Sequence, residues 1–377
     1  MLTECTGKYS LVVQGGGQKG AFAAGVLDTF IAANYDPFSL YIGTSAGALN
    51  VSSFVTKQPG LGLDFIINYT TKNRFFDFHR LMHKQQAAMD LDWAFQFVHS
   101  GEFPLDLKKG AQNLGADKQA LACVTHVEEM KDYYFPIFSE HWYDVLRATC
   151  AIPMLYHQEI EIDGAKWVDG GVTATIPVQE AYRRGACNIV AITTEAMIDD
   201  TPKSHFSLSS DNLDKLKLEL SKGIEPYIQR FSSRAATAAP HKTTQGANKA
   251  KQISEQFLAR VNQLQAQHNF PKLDSIPKNW LPDTEKLSEM LAHQSQKINF
   301  KAHTPRTVEM LFNHYMNHSA ISGFMNKPPE GVNLWEITPH KPLSCSGLLS
   351  HKDDILADYE SGVLAGKEFL SNSNHTK

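Results

Sequence analysis

Three short segments of this chain carry residue types suited to acyl transfer. Ser45 stands between two glycines in Gly43-Thr44-Ser45-Ala46-Gly47, directly after an apolar, strand-like run. A G-x-S-x-G turn bends the backbone sharply from strand into helix and lifts the serine hydroxyl to the tip of the bend. Gly43 and Gly47 flank it because the turn leaves no room for a Cβ on either side. Upstream, Gly15-Gly16-Gly17-Gln18-Lys19-Gly20 follows the strand-like Tyr9-Ser10-Leu11-Val12-Val13-Gln14 and opens the helical run from Ala21. Such a turn gathers free backbone N–H groups and the positive end of the helix dipole at one point, which suits an anion. Downstream, the segment from Ile160 alternates as a β-hairpin around Asp163-Gly164 and ends in Asp169-Gly170-Gly171. An aspartate at a strand end can present its carboxylate in a close-packed site when glycines follow it. The expected chemistry is attack by Ser45, with Asp169 as base and the amides of Gly15, Gly16 and Gly17 as an oxyanion hole. A carboxylate at its reference pKa of about 3.9 is a poor base for a hydroxyl. The site must therefore exclude water and bring the two oxygens within direct reach.

Rival chemistries fit less well. The spacing Gly15-x-Gly17-x-x-Gly20 satisfies the dinucleotide fingerprint, but that motif wants an acidic residue about 20 positions on, where this chain has the serine turn. A P-loop fails because Lys19 precedes Gly20 and no Ser or Thr follows. His79 with His83, and His314 with His318, are i,i+4 pairs, yet neither has the H-E-x-x-H glutamate or an evident third ligand. Among 16 histidines such pairs arise by chance, so no metal is expected. A Ser-His-Asp triad places its serine well into the chain with the acid and the histidine after it, which leaves Asp169-Gly170-Gly171 without a role.

Together the three segments resemble the patatin-like phospholipase family. Gly15 to Gly20 stands for its G-G-G-x-R/K-G loop, Gly43 to Gly47 for its G-T-S-A-G elbow and Asp169-Gly170-Gly171 for its D-G-G. Ala148-Thr149-Cys150-Ala151-Ile152-Pro153 resembles the helix and turn before the last hairpin, and Ile176-Pro177-Val178 the segment after D-G-G. Two positions depart from the pattern. Thr175 stands where the family has asparagine, and Lys19 keeps the charge of the common arginine but loses its bidentate fork. The resemblance implies a three-layer α/β/α sandwich with a mostly parallel sheet, a Ser45–Asp169 dyad, and Lys19, Gly20, Gly43, Gly47, Gly170 and Gly171 as motif support. It further implies a phospholipase A or lysophospholipase-like esterase, without metal or organic cofactor, acting on a phospholipid or other fatty-acyl ester. The alternative is a non-catalytic lipid-binding or regulatory protein on the same fold.

The elements that must position these residues fall into two parts. Residues 1–200 read as the catalytic domain, completed by 331–372, where Val332 to Pro339 resembles the family's final strand and Asp353 to Gly362 its final helix. A chain of 377 residues exceeds what one core usually supports. Residues 201–330 read as a mainly helical basic extension, with stripes such as Leu213, Leu216, Leu220 and Ile224, and a connector over 232–246. This extension holds 17 Lys/Arg against 11 Asp/Glu, in a chain whose net charge is −4. A basic helical surface could rest on an anionic membrane, although a solvated face is its commoner meaning. No nucleic-acid partner is expected. No apolar run approaches the 18 or so residues of a membrane span and no signal segment opens the chain, so the expected location is the cytoplasm, with peripheral contact at the inner face of the membrane. The five cysteines are scattered without C-x-x-C spacing and read as reduced. Aromatics at Phe75, Phe76, Phe78, Trp93, Phe95 and Phe97 read mainly as core, with an acyl groove as their functional use.

Overall fold

The computed structural model describes residues 7–77, 87–153, 155–156, 158–195, 310, 314, 317–318 and 320–372. The chain divides into two compact units, one formed by Met1–Asp214 with Met310–Lys377 and the other by Lys215–Glu309. The second unit lies outside the described residues, as do the helical stripes, the 232–246 connector, Phe78, His79 and His83.

The first unit is built on a sheet of order β5-β6-β3-β2-β1-β7-β8. Its members are β1 (Lys8–Val13), β2 (Leu40–Thr44), β3 (Gln119–His126), β5 (Ile160–Ile162), β6 (Ala165–Asp169), β7 (Ala186–Ile192) and β8 (Asn333–Ile337). Strands β3, β2, β1, β7 and β8 run parallel. The β5–β6 hairpin joins antiparallel on β3, and β4 (Asp132–Pro136) also pairs antiparallel with β3. Continuous apolar runs build the central strands because both faces of a parallel sheet are covered. Leu11 and Val13 of β1 pack on one face with Phe22, Val26 and Phe30 of α1 (Gly20–Ala32) and Val51 and Phe54 of α2 (Ala46–Val55). Val12, one residue out of phase, packs on the other face with Ile42, Ile189, Ile321 and Val178. The fold is thus the expected α/β architecture, with a mostly parallel central sheet between helices.

Further helices among the described residues are α3 (Leu61–Phe65), which continues into a π-helical turn at Ile66–Thr70, α4 (Leu91–Ser100), α5 (Leu107–Leu114), α6 (Trp142–Thr149) and α7 (Val178–Arg183). The chain then returns through a helical stretch at residues 320–326, strand β8 and helix α8 (Lys352–Ser371). Helix α8 packs along α1, with Phe369 and Phe30 ring centroids 5.6 Å apart and the Tyr359 hydroxyl donating to Asp28 Oδ2 at 2.8 Å. Cysteine chemistry differs from the expectation of reduced thiols. Cys123, Cys150 and Cys345 are free, but Cys187 is disulfide-bonded. Spacing along the chain does not reveal which distant thiols the fold brings together.

Candidate active site

Ser45 occupies the single residue between β2 and α2, with φ 53° and ψ −127°. A non-glycine residue rarely adopts this conformation, and holding it there costs of order 1–3 kcal/mol. Its surroundings enforce it. A Cβ on Gly47 would lie 2.3 Å from the Val13 carbonyl oxygen, so the first turn of α2 presses directly on the end of β1. The Ser45 N–H donates to Thr149 Oγ1 at 2.9 Å, and the Thr149 hydroxyl in turn donates to the Cys123 carbonyl. Thr44 is tied down by its hydroxyl, which donates to the Ala174 carbonyl at 2.8 Å.

The glycine loop lies beside this elbow at the end of the neighbouring strand β1. Gly16 and Gly17 have φ of 147° and 59°, and a Cβ on Gly17 would sit 2.1 Å from the Gly347 oxygen. The loop runs into a 3-10 turn, Gly17–Lys19, and then α1, so its amides stand at a helix start. The Gly15 N–H donates to the Thr175 carbonyl at 3.1 Å. Position 175 therefore supports the loop through its backbone, which a threonine supplies as well as an asparagine. No hydrogen bond from the Gly16 or Gly17 amide is seen among the described residues. The buried side chain of Gln18 fixes the loop from behind, accepting from Ser350 N–H at 2.8 Å and donating to the Thr70 carbonyl at 3.1 Å. Lys19 follows half-buried, and Gly20 allows α1 to approach α2 near Ala46 and Asn50.

Asp169 reaches this place by strand register. Thr44 of β2 pairs with Cys123 of β3, and the next residue of β3, Val124, pairs with Asp169 of the antiparallel β6. The chain then crosses the end of β3 in a 3-10 turn, Gly170–Val172, where a Cβ on Gly170 would meet the Cys123 oxygen at 2.3 Å. The Gly171 N–H donates to Asp169 Oδ1 at 2.6 Å, and the Thr125 hydroxyl donates to the Asp169 carbonyl at 2.9 Å. The carboxyl is 3% exposed, and this desolvation pushes its pKa from 3.8 up to about 7. The Gly171 amide, and after it the Ser45 hydroxyl, act in the opposite direction. Burial also raises the Cys150 thiol, as does the Asp169 charge, while Ser45 acts in the opposite direction.

The fold thus brings together Ser45, Asp169 and the glycine loop, three segments far apart in sequence. It also recruits residues to which sequence reasoning assigned no role at this site. Thr149 sits inside the quoted Ala148 to Pro153 motif without a role assigned to it. His314, in one of the two i,i+4 histidine pairs, has its Nδ1 2.6 Å from the Gly171 oxygen. The aromatics divide as well. Phe75, Phe76 and Phe95 are buried, while Phe95 with Leu49, Phe65, Phe103 and Leu146 lines a small apolar cleft beside α2. Among the described residues no group of three or more His, Cys, Asp or Glu side chains is arranged to hold a metal, and no helix is long and apolar enough to cross a membrane.

A buried serine on a strained strand-to-helix turn thus stands beside a buried carboxyl and a glycine loop on an α/β sheet. Residues 11–182 match the family described as patatin-like phospholipase, and residues 304–376 match a domain of unknown function, DUF6363. The chain belongs to the patatin-like phospholipase family, whose members are lipid hydrolases. It is 41% identical over 365 residues to the uncharacterized protein YjjU of Escherichia coli strain K12, covering 97% of this chain and 78% of that one. Among solved structures it is similar to VipD from Legionella pneumophila, with TM-score 0.33 and 13% identity, over 65% of this chain and 59% of VipD.

Proposed function

We propose that this protein is a serine-dependent lipid acyl hydrolase that works through a Ser45–Asp169 dyad. The observation that carries the proposal is the meeting of a strained serine with a water-excluded carboxyl whose pKa is raised to about 7. A general base works best with a pKa near the working pH, so burial turns an otherwise weak base into a useful one. Asp169 takes the proton of Ser45 Oγ as that oxygen attacks the ester carbonyl. The Gly16 and Gly17 amides receive the negative oxygen of the tetrahedral intermediate at the start of α1. Collapse expels the alcohol, which leaves with the proton held by Asp169, and a water activated by the same carboxylate then releases the fatty acid. The apolar cleft beside α2 begins at Leu49, one turn after Ser45, and supports an acyl chain as the group recognised.

The catalytic unit we propose comprises residues 1–200 and the returning chain that includes 331–372, acting on phospholipid or a related fatty-acyl ester at the cytoplasmic face of a membrane. The alternative of a lipid-binding protein without turnover predicts vesicle binding and no ester hydrolysis. Assays on p-nitrophenyl butyrate and on phosphatidylcholine vesicles decide between them. Free fatty acid is expected from the parent, with turnover reduced at least about 1,000-fold in Ser45→Ala. A folded parent that releases no fatty acid from either substrate overturns the proposal.

A further inference from the structure

We infer that His314 is a positioning residue for the Asp169 carboxylate, contributed to the site by the part of the chain that matches DUF6363. The inference rests on the dyad proposed above. Gly171 is the residue whose N–H holds Asp169 Oδ1 at 2.6 Å, and it has no side chain to anchor itself. Its carbonyl, on the opposite side, meets His314 Nδ1 at 2.6 Å. A carbonyl only accepts, so Nδ1 must carry the hydrogen, and this contact selects one tautomer of the ring. His314 is 3% exposed. Desolvation lowers its pKa, the Gly171 contact opposes that, and His318 lowers it further, which favours the neutral ring.

A second contact comes from Met310, four residues earlier. It packs with Val168 and Val172, the residues on either side of the Asp169–Gly171 turn, together with Val127 and Met130. Met310 and His314 therefore bracket the turn, one by apolar packing and the other by a directed hydrogen bond. His314 touches the backbone of Gly171 and reaches Ser45 through no direct bond, so it acts on the reaction through Asp169. Residues 304–376 match a domain that has no assigned function, and this contact gives one of its residues a task at the site. A carboxylate base that is free to tilt loses its line to the serine hydroxyl, and misplacement by about 1 Å costs roughly 100-fold in rate.

The test compares full-length His314→Phe, which removes the donor, with His314→Asn, whose amide nitrogen can stand where Nδ1 stood. His314→Phe is expected to lower kcat about 10- to 100-fold with KM within about twofold of the parent, and His314→Asn to recover kcat to within about threefold. Hydrogen exchange of the peptide over residues 166–175 is read alongside. Protection should fall in His314→Phe and persist in His314→Asn. Should the phenylalanine variant fail to fold, His314→Gln, whose amide cannot reach the Nδ1 position, takes its place. The inference is overturned if the donor-less variant keeps the turn as protected as in the parent, or if His314→Asn is as impaired as His314→Phe. An inactive parent would instead sink the hydrolase proposal, while the exchange data would still decide the role of His314.

Discussion

Ser45 ends a parallel strand in the interior of the sheet, whereas Asp169 ends an antiparallel hairpin strand on the far side of β3, and the two are secured by different forces. Around the serine, backbone presses on backbone. The added Cβ of Gly43 would meet Gly47 and Ala48 main-chain atoms at 2.5 Å, and that of Gly47 the Val13 oxygen at 2.3 Å. Around the aspartate, backbone closes in on Gly170 alone, and Asp169 itself is held by hydrogen bonds, from Gly171 and Thr125 directly and from His314 one step removed. The serine side is thus held mainly by steric exclusion, with the Ser45–Thr149 and Thr44–Ala174 hydrogen bonds beside it. The aspartate side is held by a chain of donors, each of which can be removed singly, and its carboxyl sits in an environment that resists ionisation.

That asymmetry predicts effects of graded size. The largest concerns the cost of ionising Asp169. Its folded-state pKa of about 7 lies above the unfolded value of 3.8, so the native protein holds the proton more tightly. The contribution to stability is full below about pH 4 and is lost as pH rises through 7. Asp169→Asn removes this loss and should be more stable than the parent by up to about 4 kcal/mol at pH 8, with little difference at pH 4. Urea denaturation at both pH values checks the sign. An equal difference at the two would mean that the carboxyl does not titrate as its burial requires.

Two glycine substitutions sharpen the contrast next. Gly47→Ala forces a side chain onto immovable backbone and should cost about 3 kcal/mol or more of stability. In Gly171→Ala the new Cβ meets only Asp169 Oδ1, at 2.9 Å, so the carboxylate can swing aside. That variant should stay within about 1 kcal/mol of the parent in stability while losing about 100-fold in turnover. Similar stability losses for both would erase the distinction between the two sides. Thr149→Val deletes the hydroxyl that joins the Ser45 amide to the Cys123 carbonyl, leaving both buried groups unpaired. A destabilisation of about 2 kcal/mol is expected in thermal melts. The smallest effect belongs to the strain at Ser45 itself. Ser45→Gly should be about 1 kcal/mol more stable than Ser45→Ala, because glycine accepts φ 53° without penalty.

The serine side was readable from sequence because steric exclusion leaves a glycine signature within a few residues of the group it serves. The elbow and the glycine loop carry that signature, and Gly170 of the D-G-G turn shares it, while the alternating and continuous apolar runs marked the strands beside them. Hydrogen bonds between distant segments leave no such signature. Nothing in Gly15 itself shows that its amide is committed to Thr175, and nothing in His314 separates it from an accidental pairing with His318. Thr149 looks like an ordinary helix residue until the register of β2 on β3 places the Ser45 amide and the Cys123 carbonyl on either side of it. The return of the chain was visible in the strand pattern after Val332, but its earlier contacts through Met310 and His314 were hidden in a region of polar, helical composition.

The most direct measurement is the rate at which a fluorophosphonate labels the protein between pH 5 and 9, with the adduct located by peptide mass spectrometry. A serine activated by a buried carboxylate predicts an adduct on Ser45, a rate that climbs through about pH 7, and near-complete loss of labelling in Asp169→Asn. An adduct on a different residue, or an Asp169→Asn protein labelled as fast as the parent, would contradict the account.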